Sequence, residues 1–427
     1  MHFRLGQLQS LGVFVVTMFV VLCAAFFTTA VAQDGEPLRI GVLSPLTGTL
    51  AGPGQDAIEG IKLAFEEIDY EIAGRPIQLF FEDSAASPTL TVQKTQRLVE
   101  RDRVQLILGP LSGSEAIAVK DFAPRIPEVT IVVAGAASED VTMRGIEPNV
   151  FRTSYSGAQV MFKFGEFAYE GLGYRKVATL GEDYAFPHTQ IGGFIASFCL
   201  AGGEVPRRFW VPLGTADFSS IFPEIPADVD ALMVTLGGAD AVNFLQQAAE
   251  FGILDRVTIL AGSVTVDATI LRTAGDLVEG VLSGSHYAQV LPYPEFEEFN
   301  TRFEAEVGRP SSLFAADYYI AAKVAINALR QVDGNLDDQE AFREALRGVE
   351  IATPRGPFSF DEYQNVVLTA YINEVRDVDG VFRNVVLQSF PDQTQFGPFD
   401  PDWYQAQPPF DRTNPVCEEM QDAVLAD

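Results

Sequence analysis

Two turns rich in glycine and serine carry residues whose chemistry suits anion binding. Residues 109–114 read GPLSGS, and residues 135–138 read GAAS. Serine hydroxyls and backbone N–H groups at the start of a helix are donors that hold carboxylates and similar anions. Each turn follows a short apolar segment, residues 104–108 and 129–133. The pattern therefore predicts a site for a small polar or anionic molecule where two strands end.

Ser112 is open to two interpretations. Glu115 follows it by three residues, which is the spacing of a capping box, so its hydroxyl could serve only the helix end. Ser114, just inside the predicted helix, and Ser138, on the neighbouring turn, are harder to explain by capping. Because parallel strands deliver such turns to one edge of a sheet, we expect a ligand there.

The sequence offers little support for catalysis. Of three histidines, His188 and His286 remain once the N-terminal segment is set aside. We find no G-x-S-x-G turn, no H-E-x-x-H and no paired-cysteine motif, and the spacing of Gly48, Gly52 and Gly54 fits no nucleotide-binding loop. The sequence therefore predicts a binding protein, without a cofactor or a metal, rather than an enzyme.

Strand-like and helix-like segments alternate along most of the chain, which predicts an α/β fold with doubly wound parallel sheets. The alternation runs to about Arg152 and starts again near Lys176. Predicted strands in the two series are residues 38–44, 77–82, 104–108 and 129–133, then 176–181, 207–211, 230–236 and 257–261. In the second series we place helices at residues 189–200, near 218–225 and at 239–251.

Further candidate ligand contacts follow the strands of the second series. They are Tyr184 and Phe186, then Gly237 and Gly238, then Ser263 and Thr265. The aromatic pair either forms a pocket wall or packs locally beneath its loop, with His188 as a solvated cap. Asp240 and Asp267 are either ligand contacts or acids favoured at a helix start. The aromatic residues of 312–332, including Phe314, favour a buried core helix.

The first 32 residues resemble a secretory signal peptide. Arg4 precedes an apolar run, and Ala30-Val31-Ala32 forms a cleavage site, which predicts export to the periplasm or beyond. The alternative is a retained membrane anchor, because the run approaches the length that spans a bilayer. Cys23 lies in a poor lipoprotein sequence, since Leu22 stands where a small residue is needed.

Charge and cysteine content limit the possible partners. The formal net charge of −29 argues against nucleic acid, which is held mainly by cationic contacts to phosphate. Cys199 and Cys417 remain after signal removal, and in an oxidising compartment they either form a disulfide or stay as two thiols.

Several phrases resemble the periplasmic ligand-binding proteins of the leucine/isoleucine/valine-binding type, which feed ABC importers. They are IGVLSPLTG, FEDSAASP, GPLSGSEAIAVKDFA with GAAS, and a GP-x-x-FD-like phrase at residues 356–361. The resemblance implies a monomer of two lobes, which receives a small-molecule ligand and passes it to a membrane permease. Lobe I would comprise residues 36–152 and 286–354, and lobe II residues 153–285 and 355–390. Three crossings of the chain between the lobes would form the hinge. Residues 391–427 would be an extension without regular pattern that lies over the surface.

The same resemblance implies a set of ligand-binding positions in the cleft. They are Leu111, Ser112, Gly113, Ser114, Gly135, Ala136 and Ala137 on lobe I, and Tyr184, Phe186, Gly237, Gly238, Ser263 and Thr265 on lobe II.

Two departures from the amino-acid-binding pattern bear on the ligand. Ala137 stands where those relatives use a threonine, and Ser263 where they use a glutamate that holds the ammonium. The phrases EDYAFPHTQ, FWVPLGTADFSS and LGGADAVNFL are similar to the branch of the family assigned to aromatic compounds. The resemblance therefore implies an aromatic carboxylate stacked on Tyr184 and Phe186. Alternatives are a branched-chain amino acid, an amide or urea, or a sensor of the same fold.

Overall fold

Two mainly parallel β-sheets organise the chain, as seen in a computed structural model that describes residues 35–426. The predicted signal peptide and Cys23 lie outside the described residues. The α/β class with two doubly wound lobes is confirmed. Lobe I is built on the first sheet and lobe II on the second.

The first sheet has six strands in the order β2-β3-β1-β4-β5-β6, all parallel except the short β2. β1 is buried along nearly its whole length, as its apolar sequence LRIGVLS requires of a central parallel strand. The strands are β1 (Leu38–Ser44), β2 (Glu71–Ile72), β3 (Arg75–Asp83), β4 (Leu106–Leu108), β5 (Thr130–Val133) and β6 (Val150–Arg152).

The second sheet has nine strands in the described residues. β8, β7, β9, β10 and β11 are parallel neighbours, and β14 joins β11 in antiparallel orientation and pairs with both β13 and β15. The strands are β7 (Val177–Glu182), β8 (Arg208–Val211), β9 (Ala231–Thr235), β10 (Thr258–Ala261), β11 (Leu282–Ser285), β12 (Ile351–Thr353), β13 (Gly356–Phe360), β14 (Val366–Val378) and β15 (Val381–Gln393).

Helices cover both sheets and connect their strands. They are α1 (Ala51–Glu66), α2 (Pro88–Glu100), α3 (Gly113–Phe122), α4 (Gly157–Glu170), α5 (Ala185–Leu200), α6 (Gly238–Glu250), α7 (Ala268–Ala274), α8 (Pro294–Val307), α9 (Leu313–Gln331), α10 (Gln339–Arg347), α11 (Pro401–Ala406) and α12 (Cys417–Met420). No helix among residues 35–426 has both the length and the apolar character needed to cross a bilayer.

The three predicted crossings meet at one buried acid, Asp317 on α9. Its Oδ1 lies 2.9 Å from Nε2 of His286 and accepts a hydrogen bond of 2.7 Å from Nη1 of Arg355. Arg355 also donates to the backbone carbonyl of Thr153. Because these partners flank the crossings near residues 153, 285 and 355, Asp317 ties all three together. The lobe boundaries drawn from the sequence stay a prediction.

Two helices differ from the sequence prediction. The helix near residues 218–225 is wrong: that segment has only a 3-10 turn, Phe222–Glu224. Phe218 and Phe222 are four residues apart, as in a helix, because both pack on Phe244. Pro223 and Pro226 lack the backbone N–H groups that a helix needs. α5 begins at Ala185 rather than 189, because Pro187 is tolerated in a first helical turn. This earlier start places Tyr184 at the N-cap and Phe186 in the first turn.

The C-terminal extension is more ordered than the prediction of an irregular tail. β15 runs to Gln393, and α11 and α12 follow it. Phe399 and Tyr404 are buried against Phe162 of α4, which explains the order despite the many prolines and acids. A disulfide joins Cys199, near the end of α5, to Cys417.

Candidate ligand-binding site

A narrow cavity of about 20 Å³ lies between the carboxyl edges of the two sheets, and in this arrangement it has room for about one water molecule. The turn after β4 and the turn after β5 form one wall. The turns after β7, β9 and β10 form the other. Its lining is Leu50, Leu111, Ser112, Gly135, Tyr155, Tyr184, Phe186, Gly237, Gly238, Val264 and Phe314. A larger surface groove beside β12 and β13 contains none of the predicted ligand-binding residues.

The structure brings part of the predicted set together at this cavity. The predicted residues that line it are Leu111, Ser112, Gly135, Tyr184, Phe186, Gly237 and Gly238. Those that lie nearby without lining it are Gly113, Ser114, Ala136, Ala137, Ser263 and Thr265.

Three of the nearby hydroxyls are engaged by the protein itself. Ser114 Oγ accepts a 3.3 Å hydrogen bond from the backbone N–H of Ala185, across the cleft. Ser263 Oγ lies 2.9 Å from the Tyr155 hydroxyl and accepts from Nε2 of Gln190 at 2.8 Å. Thr265 Oγ1 accepts a 3.0 Å hydrogen bond from the backbone N–H of Leu236, just after the end of β9. Ser263 therefore fixes Tyr155, which does line the cavity.

Gly113 is needed mainly for close packing of two turns within lobe I, and it also faces Phe186 of lobe II. A Cβ built on it would lie 1.8 Å from Ser138 Oγ and 3.1 Å from Phe186 Cβ. Ala136 and Ala137 are buried in the lobe I core, and the Ala137 carbonyl accepts a 2.7 Å bond from the Gly157 nitrogen.

Both interpretations of Ser112 apply in part. Its backbone N–H donates to Oε2 of the buried Glu115 at 2.9 Å, which is the expected capping interaction. Ser112 also lines the cavity at the N-cap of α3. The positive end of that helix therefore borders the cavity and favours an anionic group there.

The other titratable candidates lie outside the cavity lining. His188 bonds to Asp183 at 3.0 Å and packs edge-on against Trp210. Asp240 accepts from the backbone of Gly214 at 2.7 Å. Asp267 caps α7, as one interpretation predicted, through a 3.0 Å bond from the Thr269 nitrogen. No group of three or more potential metal-ligating side chains is found within residues 35–426.

Aromatic rings dominate the cavity. Tyr155 and Phe186 meet edge to face with centroids 6.4 Å apart, and Tyr184 lies 6.3 Å from Phe186. Phe314 completes the set. Among the lining residues no Asp, Glu, Lys or Arg occurs. The lining is therefore suited to a flat apolar group whose polar end meets backbone and hydroxyl groups, and the lobes must part further to admit one.

Leu50, Tyr155, Val264 and Phe314 line the cavity but were not among the predicted site residues. Tyr155 directly follows the first crossing and stacks on His286 of the second, with centroids 3.8 Å apart. Its proximity to the hinge was the signal that could have identified it. Phe314 gave no such signal, since an aromatic residue at helical spacing suits a core as well as a cavity.

Glu182 lies directly behind the cavity wall, at the end of β7. Its Oε1 accepts a 3.0 Å bond from the backbone N–H of Gly237, and the side chain is buried. Burial, and to a smaller extent the nearby Asp240, raises the pKa of Glu182 to about 8, against the opposing effect of the Gly237 N–H. The carboxyl group is therefore mainly neutral at pH 7 and adds no full charge to the cleft.

Glu182→Gln is expected to change how stability depends on pH. The unfolded carboxyl group loses its proton near pH 4.5, whereas the folded one keeps it to about pH 8. The wild type therefore loses stability as the pH rises between these values, and the substituted glutamine, which does not titrate, removes that loss. The Tm of the variant should exceed that of the wild type by several degrees at pH 8.5 and approach it at pH 4.5. Parallel Tm profiles from pH 4.5 to 8.5 would contradict this assignment.

The lobes touch each other in this structure, so the cleft is closed. The Ala239 nitrogen on α6 lies 3.4 Å from the carbonyl of Thr49, which belongs to lobe I. On the opposite side of the cleft, Asp267 Oδ2 accepts a 2.9 Å bond from the Leu313 nitrogen.

Comparison with known proteins places the chain in a family. The sequence pattern of the periplasmic binding protein family matches residues 37–379. An ABC transporter substrate-binding protein from Sphaerobacter thermophilus is 35% identical, with a TM-score of 0.78 over 84% of this chain and 99% of that chain.

Two further relatives differ in the ligand that their names give. A solute-binding protein of an ABC transporter from Rhodopseudomonas palustris BisB5, in complex with 3,4-dihydroxybenzoic acid, is 29% identical, with a TM-score of 0.80 over 84% of this chain and 98% of that chain. Leu/Ile/Val-binding protein homolog 6 from Brucella melitensis is 27% identical over 378 residues, 87% of this chain and 96% of that protein. The chain thus belongs to the periplasmic binding protein family and is a substrate-binding protein of the ABC transporter type.

Proposed function

We propose that this protein captures a small aromatic carboxylate between its lobes and delivers it to the permease of an ABC importer. The observation that carries the proposal is a cavity with four aromatic side chains and no Asp, Glu, Lys or Arg in its lining. An aromatic ring gains from stacking and burial in such a cavity. The relative crystallised with 3,4-dihydroxybenzoic acid supports the same ligand class.

The carboxylate would be held on the lobe I side. The N-terminus of α3 and the turns carrying Ser112 and Gly135 lie there, and helix starts attract anions. Such a contact contributes up to about 2 kcal/mol when partly buried, so several donors must converge for tight capture. The ring would then point toward Tyr184 and Phe186 on lobe II.

A branched-chain amino acid is the second candidate, favoured by the name of the Brucella relative. Its ammonium group would need a negative partner, and a buried unpaired charge is costly. Ser263, at the position where the resemblance implies a glutamate, is a neutral hydroxyl already bonded to Tyr155 and Gln190. Glu182 lies behind the wall with its pKa raised to about 8. The amino acid is therefore the weaker candidate.

A thermal-shift screen of residues 33–427 tests the ligand class. The panel contains benzoate, 4-hydroxybenzoate, 3,4-dihydroxybenzoate, leucine, isoleucine, valine, acetamide and urea. At 100 times its Kd a ligand stabilises the folded state by about 2.7 kcal/mol. The benzoates should therefore raise the Tm by roughly 3 °C or more. Stabilisation by leucine, acetamide or urea without any by the benzoates would overturn the assignment.

Export completes the proposed role. Residues 1–32 would act as a signal peptide cleaved after Ala32, which places the binding protein in the periplasm where its importer collects the ligand. Mass spectrometry of the exported protein should then find Gln33 at its N-terminus.

A further inference from the structure

The chain continues past the family-matched region into a segment that contacts both lobes. The family pattern ends at residue 379, and β15 ends at Gln393. We call residues 394–420 the C-terminal strap. Its Phe399 and Tyr404 are buried against Phe162 of lobe II, and its Gly397 lies so close that an added Cβ would be 2.1 Å from that ring. The strap is therefore a packed part of the protein.

The strap is anchored to lobe II at α5. The disulfide from Cys417 reaches Cys199 near the C-terminal end of the helix. Midway along the helix, Phe410 covers Gly192, where a Cβ would lie 2.3 Å from the ring. At the N-terminal end, Nε of Arg412 donates to Oδ1 of Asp183 at 2.8 Å. The strap therefore contacts α5 in its middle and near both of its ends.

The anchored end of α5 forms the aromatic wall of the cavity. Asp183, which Arg412 holds, is followed directly by Tyr184 at the N-cap, and Phe186 lies in the first turn. Within residues 35–426, the Arg412 side chain forms no hydrogen bond to a cavity-lining residue. It is therefore a positioning residue that acts on the wall through Asp183.

The strap also binds lobe I, at the turn that follows β5. Arg144 of that turn donates through Nε to the Gln405 carbonyl at 3.2 Å and through Nη2 to the Tyr404 carbonyl at 3.3 Å. The same arginine pairs with Glu139 and Asp140 at 2.5 Å each. The contact therefore joins lobe I to the strap and, through the strap, to lobe II.

We propose that the C-terminal strap, anchored by the Cys199–Cys417 disulfide, holds the two lobes closed and so slows release of the ligand. The effect on ligand release rests on the proposed function, whereas the effect on closure does not. An element that contacts both lobes only when they are together stabilises the closed state by the free energy of those contacts. Coupling of this kind usually changes affinity by about 5- to 150-fold.

The first test measures closure without ligand. The full mature chain and its Cys199→Ser/Cys417→Ser variant are compared by amide hydrogen exchange and small-angle scattering. In the variant we expect faster exchange at residues 139–144 of lobe I as well as at 183–190, and a larger radius of gyration. A disulfide that only stabilises lobe II would speed exchange near α5 and leave residues 139–144 unchanged, which would overturn the proposal.

The second test measures release of 3,4-dihydroxybenzoate by stopped flow. The double-serine variant should release it about tenfold faster, and Arg412→Ala, which keeps the disulfide, about threefold faster. Arg376→Ala is the matched control, because Arg376 also forms an exposed ion pair, with Glu374, away from the strap. Equal release rates in all four proteins would overturn the proposal. If 3,4-dihydroxybenzoate does not bind, the proposed ligand class is wrong, but the hydrogen-exchange experiment still tests whether the strap holds the lobes closed. Arg412→Ala serves both tests if the serine variant does not fold.

Discussion

Gly238→Ala is expected to weaken ligand binding by roughly 30- to 100-fold while the protein remains folded. Gly238 is the first residue of α6, and a Cβ there would lie 2.2 Å from the carbonyl oxygen of Thr49 on the opposite lobe. A backbone oxygen cannot rotate away, so the lobes must separate by about an ångström. Overpacking of this kind costs typically about 1–3 kcal/mol, and each 1.4 kcal/mol is tenfold in affinity.

Gly252→Ala is the matched control for Gly238→Ala. Both glycines have positive φ, +52° at Gly238 and +66° at Gly252, so alanine strains the backbone at each. Gly252 lies just beyond the other end of α6 and has no atom within 4 Å of an added Cβ. Calorimetric titration should find its affinity unchanged, although both variants lose some thermal stability. Wild-type affinity in Gly238→Ala would show that closure at Thr49 is not needed for binding.

Ser263→Glu is expected to reduce binding of an aromatic carboxylate by at least about 100-fold. Ser263 is buried, and its hydroxyl joins Tyr155 at 2.9 Å to Gln190 at 2.8 Å. A carboxylate there would place a negative charge behind the wall of a cavity whose lining offers no cation. Repulsion between two like charges a few ångströms apart in such a cleft costs about 3–4 kcal/mol of binding free energy, which is at least 100-fold in affinity.

Ser263→Gln separates the effect of charge from the effect of size, because glutamine has nearly the same shape as glutamate but carries no charge. We expect it to bind the benzoates at least tenfold more tightly than Ser263→Glu, as measured by calorimetry at pH 7.5. Equal losses in the two variants would mean that the volume of the side chain, rather than charge, sets the effect.

Membership in the family confirms the prediction of a binding protein rather than an enzyme. The absence of a catalytic set was informative because binding proteins work through backbone groups and apolar surfaces. The same property limits what a sequence reveals, since backbone N–H groups and glycines have no distinctive spacing. Gly237 and Gly238 were identified only because both follow a strand that ends at the cleft.

The elements with continuous burial were the easiest to predict. β1 has the predicted bounds, Leu38–Ser44, because a central parallel strand is apolar on both faces. The segment around Phe218 misled the prediction, since its aromatic spacing reflects packing on Phe244 rather than a helix. Tyr155 was missed because its position depends on how the crossings meet around Asp317, which is a long-range property.

The order of the C-terminal strap also could not be predicted from the sequence. Its prolines and acids indicate an irregular surface segment, and its aromatic residues have no helical or strand period. Only the contacts with Phe162, Gly192 and Arg144 show that it is packed. These partners lie far from the strap in sequence, so no local pattern could predict them.

A crystal structure of residues 33–427 grown with 4-hydroxybenzoate tests the central claim most directly. The account predicts density for one ligand between the lobes, with its carboxylate at the start of α3 beside Ser112 and Gly135 and its ring against Tyr184 and Phe186. A closed cleft without ligand density at saturating 4-hydroxybenzoate, or a carboxylate turned toward Glu182, would contradict it.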